Sequence, residues 1–187
     1  MIRKFLLVLG LLFPAALAQA QSTPVAKILV VDFDRVSRES LVGKDISAQF
    51  ESNRLSLEQQ AREVQQALSQ EQSDLEQQRS IISQDAFQER VRAFQQKAQQ
   101  KQNQLKQLTN QARQSMQQAN LEVQRVLRPI VKNLMEEKGA NFVLDKALVA
   151  QHAGGLDITT EVIERLDQAM PTYKVNLPDP NSLQAGN

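Results

Sequence analysis

The chain has 187 residues, with 22 Lys and Arg against 21 Asp and Glu, a formal net charge of +1, and neither cysteine nor tryptophan. This balance argues against a nucleic-acid partner, and the missing cysteines exclude a disulfide framework. One tyrosine and seven phenylalanines are too few for a single large core, so a small core completed by oligomerisation, plus an extended element, fits better.

Residues 1–20 read as an export signal. Arg3 and Lys4 give a positive start, Phe5 to Leu12 is apolar, and Ala18-Gln19-Ala20 is a small-x-small cleavage site. The apolar run falls short of the roughly 20 residues that a bilayer span needs. Cleavage leaves Gln21 first and brings the net charge near −1, because the signal carries two bases and no acid.

Lys27 to Phe33 is β-branched and apolar, which predicts a buried strand. Asp34 to Leu41 is polar and begins an arm. Residues 44 to 128 then contain no glycine and no proline, and glutamine is their commonest residue. Nothing in this stretch stops a helix. Ordinary helices run about 8–20 residues, so the stretch must fold back on itself. The predicted tip is 79–85, where Ser83 followed by Asp85 and Glu89 forms a helix start. The predicted ascending helix spans 40–78 and the descending one 84–138, a hairpin of about 60 Å at 1.5 Å per residue.

Heptads support the hairpin. Ala61, Leu68, Leu75 and Ile82 are seven apart, interleaved with Phe50, Leu57 and Val64. On the return, Val91, Ala98, Leu105, Ala112, Ala119 and Val126 are seven apart, interleaved with Phe87, Phe94 and Leu108. These are coiled-coil seams. Glu71, Lys101 and Ser115 interrupt them, and so thin a seam predicts a bendable arm. Pro129 predicts a kink near the base, and Gly139 a helix stop.

Asn141 to Asp145 and Ala147 to Ala150 are predicted as two short strands, with a turn at Gly154-Gly155. A last helix carries Val162, Ile163, Leu166 and Met170, with Asp157 or Thr159 as its cap. The Pro- and Asn-rich segment 171–187 is predicted to be a disordered tail. The fold class is therefore mainly α with a small β-rich head. Residues 21–40 and 139–170 form the head, 41–138 the helical hairpin arm.

Signals for bond chemistry are sparse. His152, the one histidine, precedes Gly154-Gly155 and has no Cys or second His beside it, so it reads as a loop residue and not a metal ligand. Asp32 and Asp34 form an Asp-x-Asp that would need further oxygen ligands to hold a cation, and they read as polar residues ending a strand. Phosphate-loop, nucleophile-elbow and Cys–His patterns are all missing. The expectation is a non-enzymatic protein without cofactor or metal.

The charge on the arm is asymmetric: −3 over residues 44–82 and +5 over 83–128. One reading makes Arg90, Arg92, Phe94, Lys97, Lys101 and Lys106 a contact surface for anionic clients or lipid head groups. The other is complementarity within the hairpin, with Arg90 and Arg92 near Asp74 and Glu76, Lys101 near Glu63, Lys106 near Glu58 and Arg113 near Glu51. Such exposed pairs contribute about 0.2–1 kcal/mol each and favour the antiparallel register.

The Lys-Ile-Leu-Val-Val-Asp strand at 27–32, the long Gln-rich hairpin, Asn141-Phe142-Val143-Leu144-Asp145 with Val149 after it, and Asp157-Ile158-Thr159 resemble the Skp/OmpH family of periplasmic chaperones. The resemblance extends to about Leu166, and the segment beyond Pro171 has no counterpart in the family pattern. It implies a head in which three copies join, with Ile28, Val30, Phe142, Leu144 and Val149 in the head or trimer core. It also implies three hairpins around a cavity that holds unfolded outer-membrane β-barrel proteins without ATP, in the periplasm, with weak contact to anionic lipid or lipopolysaccharide. The alternative is a coiled-coil adaptor of the envelope that binds one folded partner. A rigid spacer favours a continuous Leu/Ile seam, which this chain lacks.

Overall fold

The computed structural model describes residues 25–183; the expected export signal and the last four residues lie outside the described residues. Strand β1 (Ile28–Val31) is shorter than the predicted Lys27 to Phe33. The cause is Asp32, whose carboxylate accepts from Arg35 N at 2.7 Å and so caps helix α1 (Phe33–Glu39). The first polar segment is thus a separate short helix and not the start of the arm.

Ser40 ends α1 in an extended conformation and caps α2 (Leu41–Gln78), accepting from Gly43 N at 3.2 Å. Residues 79–83 turn the chain, and Ser83 caps α3 (Gln84–Glu137). At 38 and 54 residues, the two helices are about 57 and 81 Å long. Helix α3 runs through Pro129. It ends at Gly139, whose φ of +60° places it in the left-handed region that favours glycine. There Gly139 N donates to Glu136 O and Ala140 N to Met135 O, both at 2.9 Å, closing the last carbonyls.

Strand β2 (Phe142–Asp145) pairs parallel with β1, Ile28 opposite Phe142 and Val30 opposite Leu144. Parallel strands need a crossover, and here the crossover is α1 with the whole arm. The opposite edge of β1 takes residues 157–158: Ile158 N donates to Val30 O at 3.0 Å. Helix α4 (Thr159–Ala169) then lays Val162 and Leu166 on Leu29, Val31, Val36, Val42 and Leu134. Burying each aliphatic side chain stabilises by about 1.5–3 kcal/mol, so this knot holds the base of the arm. Lys138–Glu161 at 2.8 Å and the two-pronged Arg165–Glu137 pair tie α4 to the end of α3.

Several expectations are corrected. The head has less β-structure than predicted: two strands among the described residues, with α1 and α4 supplying the rest. The strand expected at 147–150 is a 3-10 turn over Lys146–Leu148, because the Asp145 carboxylate accepts from Ala147 N at 3.0 Å and bends the chain at once. Val149 follows that turn, half-buried and outside the sheet. Thr159 does not cap α4; Ile158 holds the cap position, and Asp157 accepts the Thr159 amide at 2.9 Å. The Thr159 hydroxyl instead accepts from Asp32 N at 2.9 Å.

The largest correction concerns the tail. Residues 171–183, predicted to be disordered, lie along the arm with Val175 and Leu183 buried, and the described residues end in a 3-10 turn over Pro180–Leu183. Prolines and asparagines forbid regular structure here but not an extended path whose backbone is bonded by the arm.

Candidate functional site

Every seam position named above is buried or half-buried. Most are half-buried only, because a pair of helices covers just one side of each apolar stripe. An open groove of about 760 Å³ runs between α2 and α3, with Phe50, Leu57, Leu105 and Met116 exposed to it and Arg54 and Arg113 at its rim.

The tail fills a second course along the same helices. Gln49, one turn above Asp45 on α2, brackets it: Gln49 Oε1 accepts from Val175 N at 3.0 Å, and Gln49 Nε2 donates to Tyr173 O at 2.8 Å. Asp45 accepts from Tyr173 N at 3.0 Å, and Asn53 donates to Pro178 O at 2.9 Å. From α3, Ser115 Oγ donates to Asn176 O at 2.5 Å and Lys101 Nζ to Leu183 O at 2.6 Å. Ser115 and Lys101 are two of the three interruptions of the seam. Two of the polar residues that weaken helix–helix packing thus help to hold the tail.

The basic stretch is divided by this arrangement. Lys101, expected as a client or lipid contact, is 6 % exposed and is committed to the tail. Lys97 reaches across the hairpin to Glu71 at 2.8 Å, and Arg90 donates to Gln78. Phe94 is half-buried in the seam, while Arg92, Lys106 and Arg113 are exposed. Glu51 and Glu58, expected opposite Arg113 and Lys106, are instead held by Arg54 on their own helix. Partners three and four residues away on one helix are reached with less ordering than partners across the hairpin.

In the head, the predicted core residues separate. Val30 is buried, but Ile28 (37 % exposed), Leu144 (38 %) and Phe142 (55 %) form an open apolar face on the sheet. The chain's own core uses the other face, Leu29 and Val31. Asp157 is the most perturbed carboxylate of the head. Partial burial pushes it up, but bonds from Thr159 and from Lys146 at 2.9 Å prevail and bring its pKa down to about 2.

No group of three or more His, Cys, Asp or Glu able to hold a metal ion occurs among the described residues. Asp32 is spent as a helix cap, and the His152 ring lies 3.1 Å from its neighbour's carbonyl. None of the described helices is long and apolar enough to cross a membrane. The tail site was the element that sequence reasoning missed. Its signal was the alternation of Tyr173, Val175 and Leu177 with Lys174 and Asn176.

Residues 27–166 match the model of the family described as outer membrane protein, OmpH-like. The structure is similar to that of an OmpH-like candidate outer membrane chaperone from Caulobacter crescentus, with a TM-score of 0.77 and 21 % identity, covering 84 % of this chain and 93 % of that one. At that identity the likeness concerns the fold. No curated protein matches the sequence.

Proposed function

The chain belongs to the OmpH-like outer membrane protein family, and on that premise we propose that it is an ATP-independent holdase for unfolded outer-membrane β-barrel proteins in the periplasm. The observation that carries this reading is the arm: two helices of 38 and 54 residues whose apolar seam stays half-open along its length. Unfolded barrel strands alternate apolar and polar residues and aggregate through unpaired edges. A half-open seam gives such strands many weak contacts, and weak contacts release without chemical energy. Glutamine suits the surface because its amide both donates and accepts while carrying no charge.

The open face of Ile28, Phe142 and Leu144 supports assembly of the head, as a homotrimer whose three arms enclose the client. Arg92, Lys106 and Arg113 supply exposed positive charge for weak contact with anionic client segments or lipid. The mechanism uses neither cofactor nor covalent step. The test is dilution of a urea-denatured outer-membrane β-barrel protein into buffer with and without the purified chain. Suppressed light scattering at about stoichiometric chain is expected; unchanged scattering refutes the proposal.

A further inference from the structure

Over Tyr173 to Val175 the tail binds the arm as a β-strand binds its neighbour. Tyr173 and Leu177 are half-buried and Val175 is buried, while Lys174 and Asn176 between them are exposed. The alternation is that of a strand with one apolar face, although a tight turn at Asn176, where Leu177 N donates to Val175 O at 3.0 Å, ends the strand-like course. Gln49 completes it, since one side-chain amide takes the N–H of Val175 and the C=O of Tyr173, the two groups flanking Lys174. A residue of a parallel neighbouring strand takes the same two groups. Glutamine thus stands in for a peptide unit, and it reads backbone whatever the side chains.

Two further features mark this course as a site for a replaceable strand. Its holding bonds from Gln49, Asn53, Ser115 and Lys101 go to main-chain carbonyls, which any polypeptide offers. The seam beneath it is polar at Lys101 and Ser115, where packing between α2 and α3 alone would favour leucine.

We infer that the course along α2 and α3 now taken by residues 173–183 is a binding site for an extended, alternately apolar segment of an unfolded chain, and that the tail is its built-in competitor. This rests on the holdase reading above and specifies what the arm recognises. A tethered competitor acts at high effective concentration, so it keeps the apolar strip covered between clients and sets a threshold that only multivalent, strand-rich chains exceed.

The chain has no native cysteine, so Ser115→Cys with Asn176→Cys can be bridged by a short reducible linker that locks the tail. Val175→Asp with Leu183→Asp releases it without touching the arm. The probe is a fluorescently labelled, urea-denatured outer-membrane β-barrel protein, diluted into each chain. The expected order of affinity is released, then wild type, then locked, with at least a tenfold span and recovery of the locked chain on reduction. Locked and reduced chains that bind equally overturn the inference, as does a released chain that keeps wild-type helicity yet binds no tighter. If the released chain loses its helices, the locked-against-reduced comparison decides. A probe that binds none of the chains, wild type included, refutes the holdase reading and this inference with it; equal binding by all refutes this inference alone.

Discussion

The carbonyl oxygen of Ser37 lies 1.8 Å from where a Cβ on Gly43 would stand. Helices α1 and α2 therefore cross at backbone distance, and glycine is the residue that permits it. Gly43→Ala is expected to force the two apart and to destabilise the head by about 2–3 kcal/mol. A urea midpoint unchanged from wild type would show that α1 can shift freely, contrary to its packing through Val36.

Asp157 makes the head acid-sensitive. Its folded pKa of about 2 lies below the ordinary 3.8, so the carboxylate contributes stability above pH 4 and loses it as pH falls. Urea midpoints are expected to drop between about pH 4 and pH 2 for the wild type. Asp157→Asn is expected to flatten that part of the profile, since it removes the titrating group, and to lower stability at neutral pH by breaking the pair with Lys146. An equally steep acid profile in the variant would assign the sensitivity elsewhere.

Lys97 and Glu71 cross the hairpin at 2.8 Å, yet their side chains are 40 % and 37 % exposed. Solvent screening limits such a pair to less than about 1 kcal/mol. A double-mutant cycle with Lys97→Ala and Glu71→Ala is expected to give a coupling below that value, shrinking further in 1 M salt. A coupling above about 2 kcal/mol would mean that charge, and not the seam, sets the register.

The open face of the sheet predicts the response of assembly to a single charge. Phe142→Asp is expected to weaken self-association by about 30-fold, the effect of losing a central apolar contact of about 2 kcal/mol. Ile81→Asp at the far tip, a residue still more exposed to solvent, is expected to leave it unchanged. Sedimentation analysis across micromolar concentrations reads both. A Phe142→Asp chain that sediments as the wild type does would place the contact on another surface.

Local sequence rules carried the helices far. Uninterrupted helix formers, heptad spacing and the Ser83 and Gly139 signals are short-range, so the bounds of α2 and α3 were legible from residues 40 to 138. The tie between Asp32 and Thr159 was not, because no periodicity reports on two residues 127 positions apart. Val149 was misjudged for a related reason: its apolar neighbours suit a strand, but the Asp145 side chain closes a turn first.

By itself, the sequence determined a helical hairpin with a thin, polar-interrupted seam. Those properties depend on composition and on spacings of three, four and seven. Only the tertiary structure decided that Lys101 and Ser115 serve the tail, that Ile28, Phe142 and Leu144 face outward, and that a segment rich in proline is ordered. Each depends on which surface remains after α2, α3 and α4 have packed, and that remainder follows from the whole chain at once. The prolines of the tail bar it from helix and sheet ladders of its own, so its order comes from polar side chains that another part of the chain presents.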